Sequence, residues 1–307
     1  MTRILVSGMS TGDFVFDVQA MPKRAEKYVA NNAGMIIGGG AANAAIAIAR
    51  QQGSVSIATR VGDDWIGNAI VQTLRDENID CSYLQVCEGA KSAFSSVLVD
   101  SAGERRIVNY RGNGFEEPPQ WLSSNTPLKF VHCNSDAQPF SAVLTDTRWI
   151  DSAIAVLSMA REIGIPGVVD AEAPIPEKVL QLASHVAFSM QGLTAYTGIK
   201  NEEESLMIAS AKLTAWVCVT DGSEGVTHLQ DGKLHHTPTH SLEINDTLAA
   251  GDVWHGIFTL GLSEGLDEQN AIKYANAAAT LKCAGSGHGV MSAPNREQTI
   301  QFMEKMP

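Results

Sequence analysis

The sequence predicts an α/β protein with a doubly wound, mostly parallel sheet that is covered by helices on both faces, and a small β-sheet outside it. After Asn113, short apolar runs alternate with segments of helical spacing, and this alternation is typical of parallel sheets. Residues 14–37 and 91–113 carry strand patterns outside the alternation, so we expect them to form the small sheet. We expect a single domain over residues 1–307, because a chain with 44% hydrophobic residues can bury a large core.

The first half of the chain begins with a short apolar run that predicts a buried strand and ends at Ser7-Gly8. Similar runs predict five more strands, and a stretch of small residues after three glycines predicts a helix. The predicted strands are residues 4–6, 14–18, 28–37, 54–59, 93–99 and 105–110. The predicted helices are residues 41–49 and a segment that follows the loop 60–67 and ends at Arg75.

The second half supplies most of the strand–helix alternation. The predicted strands are residues 130–133, 167–170, 185–189 and 215–220, followed by a hairpin around Asp231-Gly232. The predicted helices are residues 151–162, 176–183, 202–213, 252–264 and 267–284. Because strands and helices alternate, the strands are expected to run parallel with helices packed on both faces.

Composition and charge exclude several classes of protein. The net charge is −12 and no Lys/Arg-rich run occurs, which argues against nucleic acid or an anionic membrane surface as a partner. The five cysteines are scattered without a CxxC pair, a pattern that predicts reduced thiols and a cytoplasmic location. The apolar run at the N-terminus is too short for a signal peptide, and no apolar stretch of about 18 residues occurs, so neither a signal peptide nor a membrane segment is expected.

The stretch from Asp246 to Asp252 carries the most chemical information. Ala249, Ala250 and Gly251 precede an apolar helical pattern, and the backbone N–H groups at a helix start favour an anion. Asp252 would lie in the first turn, where a carboxylate cannot add affinity for an anion. The carboxylate is explained if Asp252 is a general base, which takes a proton from the nucleophile that attacks a bound phosphate. An acidic helix N-cap is the alternative, and these residues alone leave both open.

Two further places predict contact with a ligand. Asp13 follows the first strand, and ligands of doubly wound sheets bind at the carboxyl ends of the strands. Gly38-Gly39-Gly40 opens the helix of small residues, which permits close approach either of a ligand or of the sheet to the backbone. His255, one turn after Asp252, is expected to serve packing.

Four motifs in this order resemble those of the ribokinase or PfkB-type carbohydrate kinases over essentially the full length. The motifs are Gly38-Gly39-Gly40-Ala41-Ala42-Asn43, residues 60–67 (RVGDDWIG), residues 219–225 (VTDGSEG) and residues 246–252 (DTLAAGD). The resemblance implies a ribokinase-like fold with a β lid made from residues 14–37 and 91–113. It also implies ATP-dependent phosphorylation of a sugar hydroxyl, with Mg²⁺ as a second cofactor, and a homodimer formed through the lid.

The resemblance also implies a role for each matching residue. Asp252 would be the catalytic base, and Ala249, Ala250 and Gly251 would form the anion hole. The residues implied to hold the sugar are Asp13, Gly39, Gly40 and Asn43. Those implied to line the nucleotide are Thr220, Gly222 and Gly225, with Asn276 near the adenine.

The chain departs from the family pattern in two places that bear on the site. Ala249 stands where the family usually has Gly, so the anion hole is more restricted. Ser189 and Gly192 replace the family's Asn-x-x-Glu, whose two side chains help to organise Mg²⁺. The metal ligands of this chain therefore stay unknown, and the metal must be coordinated differently or more weakly.

Within the family, the sulfofructose kinase branch is the most similar, on residues 26–30, 109–110, 146–149 and 279–283. That resemblance implies that Lys27, Asn109 and Arg148 bind an anionic group on a ketohexose, since Lys and Arg suit sulfonate or phosphate. Arg148 could instead form a structural ion pair or lie on the surface. A neutral-sugar kinase of the ribose or fructose type, or a non-catalytic sugar sensor of the same fold, is the alternative function.

Overall fold

The computed structural model describes residues 2–101, 104–116, 118–119, 122 and 139–305. Its strands are β1 (Arg3–Ser7), β2 (Thr11–Val18), β3 (Asn32–Gly38), β4 (Ser54–Ala58), β5 (Arg60–Gly62), β6 (Gln85–Cys87), β7 (Phe94–Asp100), β8 (Arg105–Tyr110), β9 (Ala142–Thr145), β10 (Gly167–Ala171), β11 (His185–Ser189), β12 (Trp216–Thr220), β13 (Val226–Gln230) and β14 (Lys233–Thr237). Its helices are α1 (Gly40–Arg50), α2 (Trp65–Asp76), α3 (Ile150–Ile163), α4 (Glu177–Leu180), α5 (Met190–Thr197), α6 (Glu202–Lys212), α7 (Ala250–Ser263), α8 (Glu268–Ala284) and α9 (Arg296–Lys305).

The main sheet has eight strands in the order β14-β13-β12-β11-β10-β9-β1-β4. The six strands from β12 to β4 run parallel, whereas β13 and β14 form an antiparallel hairpin at one edge. This architecture confirms the predicted doubly wound α/β class. It also brings the carboxyl ends of the parallel strands to one edge, where the ligands of such sheets bind.

The core is divided by the sheet into two apolar clusters. Along β1, Ile4 and Val6 pack into the cluster with α1, α7 and α8, whereas Leu5 packs into the cluster with α3 and α6. Both faces of the strand are therefore apolar, as expected for a parallel strand that is covered on both sides. The two clusters hold the carboxyl ends of the strands in fixed positions.

The centre of the sheet contains a strand that the sequence analysis missed. β9 lies between β1 and β10, and it consists of only four buried residues. A short, continuous apolar run has no periodicity that separates a strand from a helix. The predicted strand at residues 130–133 lies outside the described residues.

A second sheet of four strands, in the order β3-β2-β7-β8, is separate from the main sheet. β2 pairs parallel with β7, and the other two pairs are antiparallel. Its strands lie at or near residues 14–37 and 91–113, although β2 begins earlier and β3 later than predicted. We call it the small sheet; its closure over a ligand stays a prediction.

Other differences from the predicted elements are local. Part of the predicted loop at residues 60–67 is the strand β5, which pairs with β6. The short helices α5 and α9 were not predicted, and α4 is shorter than expected. Among the described residues, the helices are too short or too polar to cross a membrane. Within the same ranges the cysteines form no disulfide with one another, and Cys133 lies outside them.

Candidate active site

A cavity of about 750 Å³ lies at the carboxyl edge of the main sheet, between that edge and the small sheet. The start of α1, the ends of β9 and β10 with the turns that follow them, and the start of α7 contribute its walls, and β2, β7 and β8 of the small sheet contribute the rest. The predicted site residues that line it are Asp13, Gly39, Gly40, Asn43, Asn109, Arg148, Ala249, Ala250, Gly251 and Asp252. Residues from both ends of the chain therefore converge on one cavity.

The turn before α7 has the conformation that its small residues allow. Ala249 precedes the helix with φ of 65°, in the left-handed region. This region costs a residue with a Cβ about 1–2 kcal/mol relative to glycine, which is why glycine suits this position. Gly251 and Asp252 follow in the first turn, whose N–H groups have no acceptor within the helix. The helix start therefore presents donors and a carboxylate together.

A buried ion pair anchors the same turn from behind. The Lys282 ammonium, which is fully buried, donates to the backbone carbonyl of Asp246 at 2.8 Å and to its carboxylate at 3.0 Å. The amides of Leu248 and Gly289 donate to the same carboxylate at 3.0 and 2.8 Å. Burial raises the pKa of Asp246, but these hydrogen bonds and Lys282 outweigh it, so that the pKa falls below its usual value. The residue stays a carboxylate that fixes the turn.

Asp252 lies on the cavity wall with its carboxylate held by one partner. The side-chain amide of Asn43 donates to Asp252 Oδ2 at 2.7 Å. Burial raises the pKa of Asp252, with Glu172 and Asp13 adding to the rise, whereas the Asn43 hydrogen bond and His255 oppose it. A carboxyl group with a raised pKa takes a proton more readily than an ordinary aspartate, which suits a general base.

Other carboxylates surround Asp252 in the cavity. Burial raises the pKa of Asp13 and Asp146, and it raises the pKa of Asp170 to about 7. Thr11 donates to Asp13 at 2.9 Å, and the amide of Met9 donates to Asp146 at 2.7 Å. The sequence analysis missed Asp146 and Asp170, although each stands at the end of a parallel strand. Asp13 was expected at such a strand end, but it lies within β2 of the small sheet.

The cationic residues are arranged differently from the prediction. Arg148 lines the cavity, but its guanidinium donates to Glu172 at 2.5 Å and to the carbonyl of Ala173 at 2.9 Å, which is the ion-pair alternative. Lys27 is exposed between β2 and β3 and does not line the cavity. The structure therefore does not bring Lys27 together with Asn109 and Arg148.

Two arginines that the sequence analysis missed also line the cavity: Arg105 and Arg111. Arg105 Nη1 lies 4.0 Å from Asp246 Oδ1, above the turn before α7. Arg105, Ile107 and Asn109 all line the cavity, as expected for alternate residues of one strand. Since Asn109 was predicted to bind the substrate, the alternation of side chains along this strand could have identified Arg105 as well.

The predicted nucleotide residues lie outside this cavity. Thr220 ends β12, and Gly222 and Gly225 occupy the turn that follows it with positive φ angles of 49° and 107°. A Cβ at Gly225 would lie 2.3 Å from the carbonyl oxygen of Thr237, so only glycine fits there. Asn276 is buried, accepts from the Trp254 indole at 2.8 Å and donates to the carbonyls of Thr237 and Pro238. Its amide supports packing, and the adenine contact stays a prediction.

The position where the family carries a metal-organising glutamate cannot hold one in this chain. Ser189 caps α5 by accepting from the amide of Gly192 at 3.0 Å. A Cβ at Gly192 would lie 2.1 Å from the carbonyl oxygen of Ala171, so strand β10 leaves no room for a side chain. Within the described ranges, no three His, Cys, Asp or Glu side chains are arranged to hold a metal ion. The residues at this strand end therefore do not fit a directly bound Mg²⁺.

Comparisons with known proteins concern the whole chain and its fold. Residues 1–296 match the model of the pfkB family carbohydrate kinases. The ribokinase of Bacillus subtilis (strain 168) is 24% identical over 304 residues, which cover 98% of this chain and 99% of that protein. A crystal structure from Agrobacterium tumefaciens, provisionally named a ribokinase, is 34% identical with a TM-score of 0.91 over 99% of this chain and 98% of the other. The ribokinase of Arabidopsis thaliana, solved with ribose and ATP, shares the fold with a TM-score of 0.86 at 22% identity over 99% of each chain.

Proposed function

The chain belongs to the pfkB family of carbohydrate kinases, and from this premise we propose that it phosphorylates a neutral sugar with Asp252 as the general base. The protein is an ATP-dependent sugar kinase, as the sequence predicted. The observation that carries the proposed mechanism is Asp252 itself, which lies in the first turn of α7 and accepts a hydrogen bond from Asn43. In this position it can receive the proton of a hydroxyl while the helix start binds the phosphoryl group.

The sugar is proposed to bind on the side of the cavity formed by β2 and the start of α1. Asp13 and Asn43 offer an acceptor and a donor for hydroxyl groups, and Gly39 and Gly40 allow the sugar ring to approach the backbone. A neutral sugar needs hydrogen-bond donors and acceptors of this kind, but it needs no cationic side chain. The relatives named for ribose favour a sugar of this kind.

The phosphoryl group is proposed to bind between the start of α7 and Arg105. Ala249, Ala250 and Gly251 would supply backbone donors to the charge that develops during transfer. Asp246 already has Lys282, Leu248 and Gly289 as partners, so the charge of Arg105 remains available to the phosphate. We assign Arg105 this role in addition to the residues that the sequence predicted.

ATP and Mg²⁺ are the cofactors of this chemistry. The nucleotide is proposed to lie along Thr220, Gly222 and Gly225, at the carboxyl end of β12 and in the turn that follows it. Mg²⁺ would accompany the ATP phosphates and neutralise part of their charge. No protein ligand for the metal is assigned, because Ser189 and Gly192 do not fit that role.

An anionic ketohexose such as sulfofructose is the second candidate substrate. Arg111, Asn109 and Arg148 all line the cavity, and a desolvated charge-assisted contact gives about 10–100-fold discrimination. The ion pair between Arg148 and Glu172 weakens this candidate, because Glu172 would have to release the guanidinium. The homodimer formed through the small sheet is also a proposal.

The experiment that tests the proposed function measures ATP turnover with ribose, fructose and sulfofructose under saturating MgATP. We expect the highest kcat/KM with a neutral sugar. A preference for sulfofructose that is lost in Arg148→Ala would replace the neutral sugar by the second candidate. Binding of sugars without turnover of ATP would overturn the enzyme mechanism in favour of a sugar sensor.

A further inference from the structure

His255 lies one helical turn after Asp252 on α7, and its side chain is 4% exposed. Its Nδ1 atom lies 2.7 Å from the carbonyl oxygen of Gly251, so Nδ1 must carry a proton and donate it. The other ring nitrogen, Nε2, has no hydrogen-bond partner among the described residues. It lies 3.6 Å from Asp170 Oδ1. A buried ring nitrogen that faces a carboxylate is well placed to exchange a proton with it.

The two groups lie directly behind the proposed base. Asp170, His255, Asp252 and Asp146 line one small internal chamber, closed on the other side by the start of α1. Asp170 and Asp146 come from adjacent parallel strands, whereas Asp252 and His255 come from α7. The chamber therefore places an imidazole among three carboxylates.

Charge repulsion makes this arrangement costly for Asp252. The groups that line the chamber or act on the pKa values of its carboxylates are Asp13, Asp146, Asp170, Glu172, Arg148 and His255. With Asp252 itself, five of these seven groups are carboxylates, and the Arg148 guanidinium is paired with Glu172. The adjoining cavity adds Glu104, Arg105, Tyr110 and Arg111, which lie on or next to β8, and Arg105 faces Asp246. Each additional negative charge disfavours the ionised form of Asp252. A general base must nevertheless be ionised before it can accept a proton.

We infer that His255 is a positioning residue that holds one proton together with Asp170 behind Asp252, and that this proton cancels the charge of Asp170 and thereby keeps Asp252 ionised. The proton lies either on His255 Nε2, beside an ionised Asp170, or on Asp170, beside a neutral imidazole. Both arrangements have zero net charge, whereas loss of the proton leaves one negative charge. The inference rests on the proposed role of Asp252 as the base.

The titration of Asp170 supports the geometry. Burial raises its pKa to about 7, His255 opposes the rise, and Asp252, Glu172 and Asp146 add to it. The pair therefore keeps its proton up to about neutral pH. His255 also lowers the pKa of Asp252, so its removal should raise the pKa of the base.

The test is the pH profile of kcat/KM, whose acidic limb reports ionisation of the base in the free enzyme. We expect His255→Gln to move this limb upward by about one pH unit, the lower end of the effect of an adjacent opposite charge. Asp170→Asn should move it downward, because a like-charged neighbour of Asp252 is lost. His228→Gln is the matched control: His228 is also buried with an unpartnered ring nitrogen, but it lies on β13, outside the cavity.

Opposite shifts in the two variants, with no shift in the control, are the expected result. A uniform loss of kcat/KM in His255→Gln without movement of the limb would show that the residue serves packing alone. If that variant does not fold, an unchanged limb in Asp170→Asn overturns the inference by itself. Asp252→Asn separates the two proposals. Near-normal turnover in this variant would overturn the role of Asp252 as the base, independently of any shift of the acidic limb in the other variants.

Discussion

At the scale of single residues, the site depends on one carboxylate whose surroundings favour proton uptake. Asp252→Asn keeps the size of the side chain but removes its basicity. We expect turnover to fall by about 10²–10⁴-fold, the usual effect of losing a general base, while sugar and nucleotide still bind. Steady-state kinetics and calorimetric titration measure the two properties separately. Asp231→Asn, in the exposed turn of the β13–β14 hairpin, is the control and should behave as wild type.

Arg105 gives a second prediction at the same scale. Arg105→Ala removes a cation that faces the start of α7, so phosphate binding should weaken and kcat/KM for MgATP should fall by about 10–100-fold. Arg106→Ala is a matched control, since Arg106 points its guanidinium at the exposed carbonyl of Pro22. Equal losses in the two variants would indicate damage to β8 and argue against a role in phosphate binding.

The sequence analysis identified some of these residues and missed others. Asp252 and Asn43 stand in local motifs, and Asp13 closely follows the first apolar run, so their roles could be inferred from their neighbours in sequence. Arg105 and Asp170 have no such motif. They reach the cavity because strand pairing brings distant segments together: Arg105 lies on β8 of the small sheet, and Asp170 lies on β10, next to the strand β9 that was not predicted.

At the scale of elements, the turn into α7 combines an unfavourable backbone conformation with a strong anchor. Ala249→Gly should stabilise the protein by about 1 kcal/mol at most, because glycine adopts positive φ without steric cost but loses more entropy on folding. Ala250→Gly is the matched control, and it should destabilise by about 0.5–1 kcal/mol, because residue 250 is helical. Urea denaturation measures both, and the same sign of change in both variants would contradict the explanation.

The anchor of this turn gives another prediction. Lys282→Met should destabilise the protein by about 3–5 kcal/mol, because it leaves the carboxylate of Asp246 buried without its cation. The double variant Asp246→Asn/Lys282→Met removes both charges and should recover part of the loss. Thermal and urea denaturation of the three proteins test this coupling, and purely additive losses would show that the two groups act independently.

The elements themselves were predicted where the pattern was long or repeated. The helices α7 and α8 and the strands β10 to β12 were predicted close to their actual positions. β9 and α5 were missed because four to eight residues carry too little periodicity to distinguish a strand from a helix. The absence of the family's Asn-x-x-Glu pattern was visible in the sequence. Only the structure shows that a glutamate would not fit at position 192, because Gly192 lies against β10.

At the scale of the whole molecule, the small sheet has an outer strand that pairs on one side only with the residues that the structure describes. β8 is an outer strand of that sheet, and Val108 on it is 73% exposed. Unpaired strand edges with exposed apolar residues are favourable places for association. This supports the homodimer that the family resemblance implied for the small sheet.

Val108→Glu tests that homodimer, because a charge on the outer strand would be buried without a partner in the dimer. We expect wild type to sediment as a dimer and the variant to shift toward monomer by at least tenfold in Kd, an effect of about 1.4 kcal/mol. Met207→Glu, on the exposed side of α6, is the control with the same added charge and should stay dimeric. A wild-type protein that sediments as a monomer at micromolar concentration would remove the dimer and leave the kinase mechanism unchanged, since the proposed base and anion hole lie on α7 and the turn before it, away from β8 in the chain.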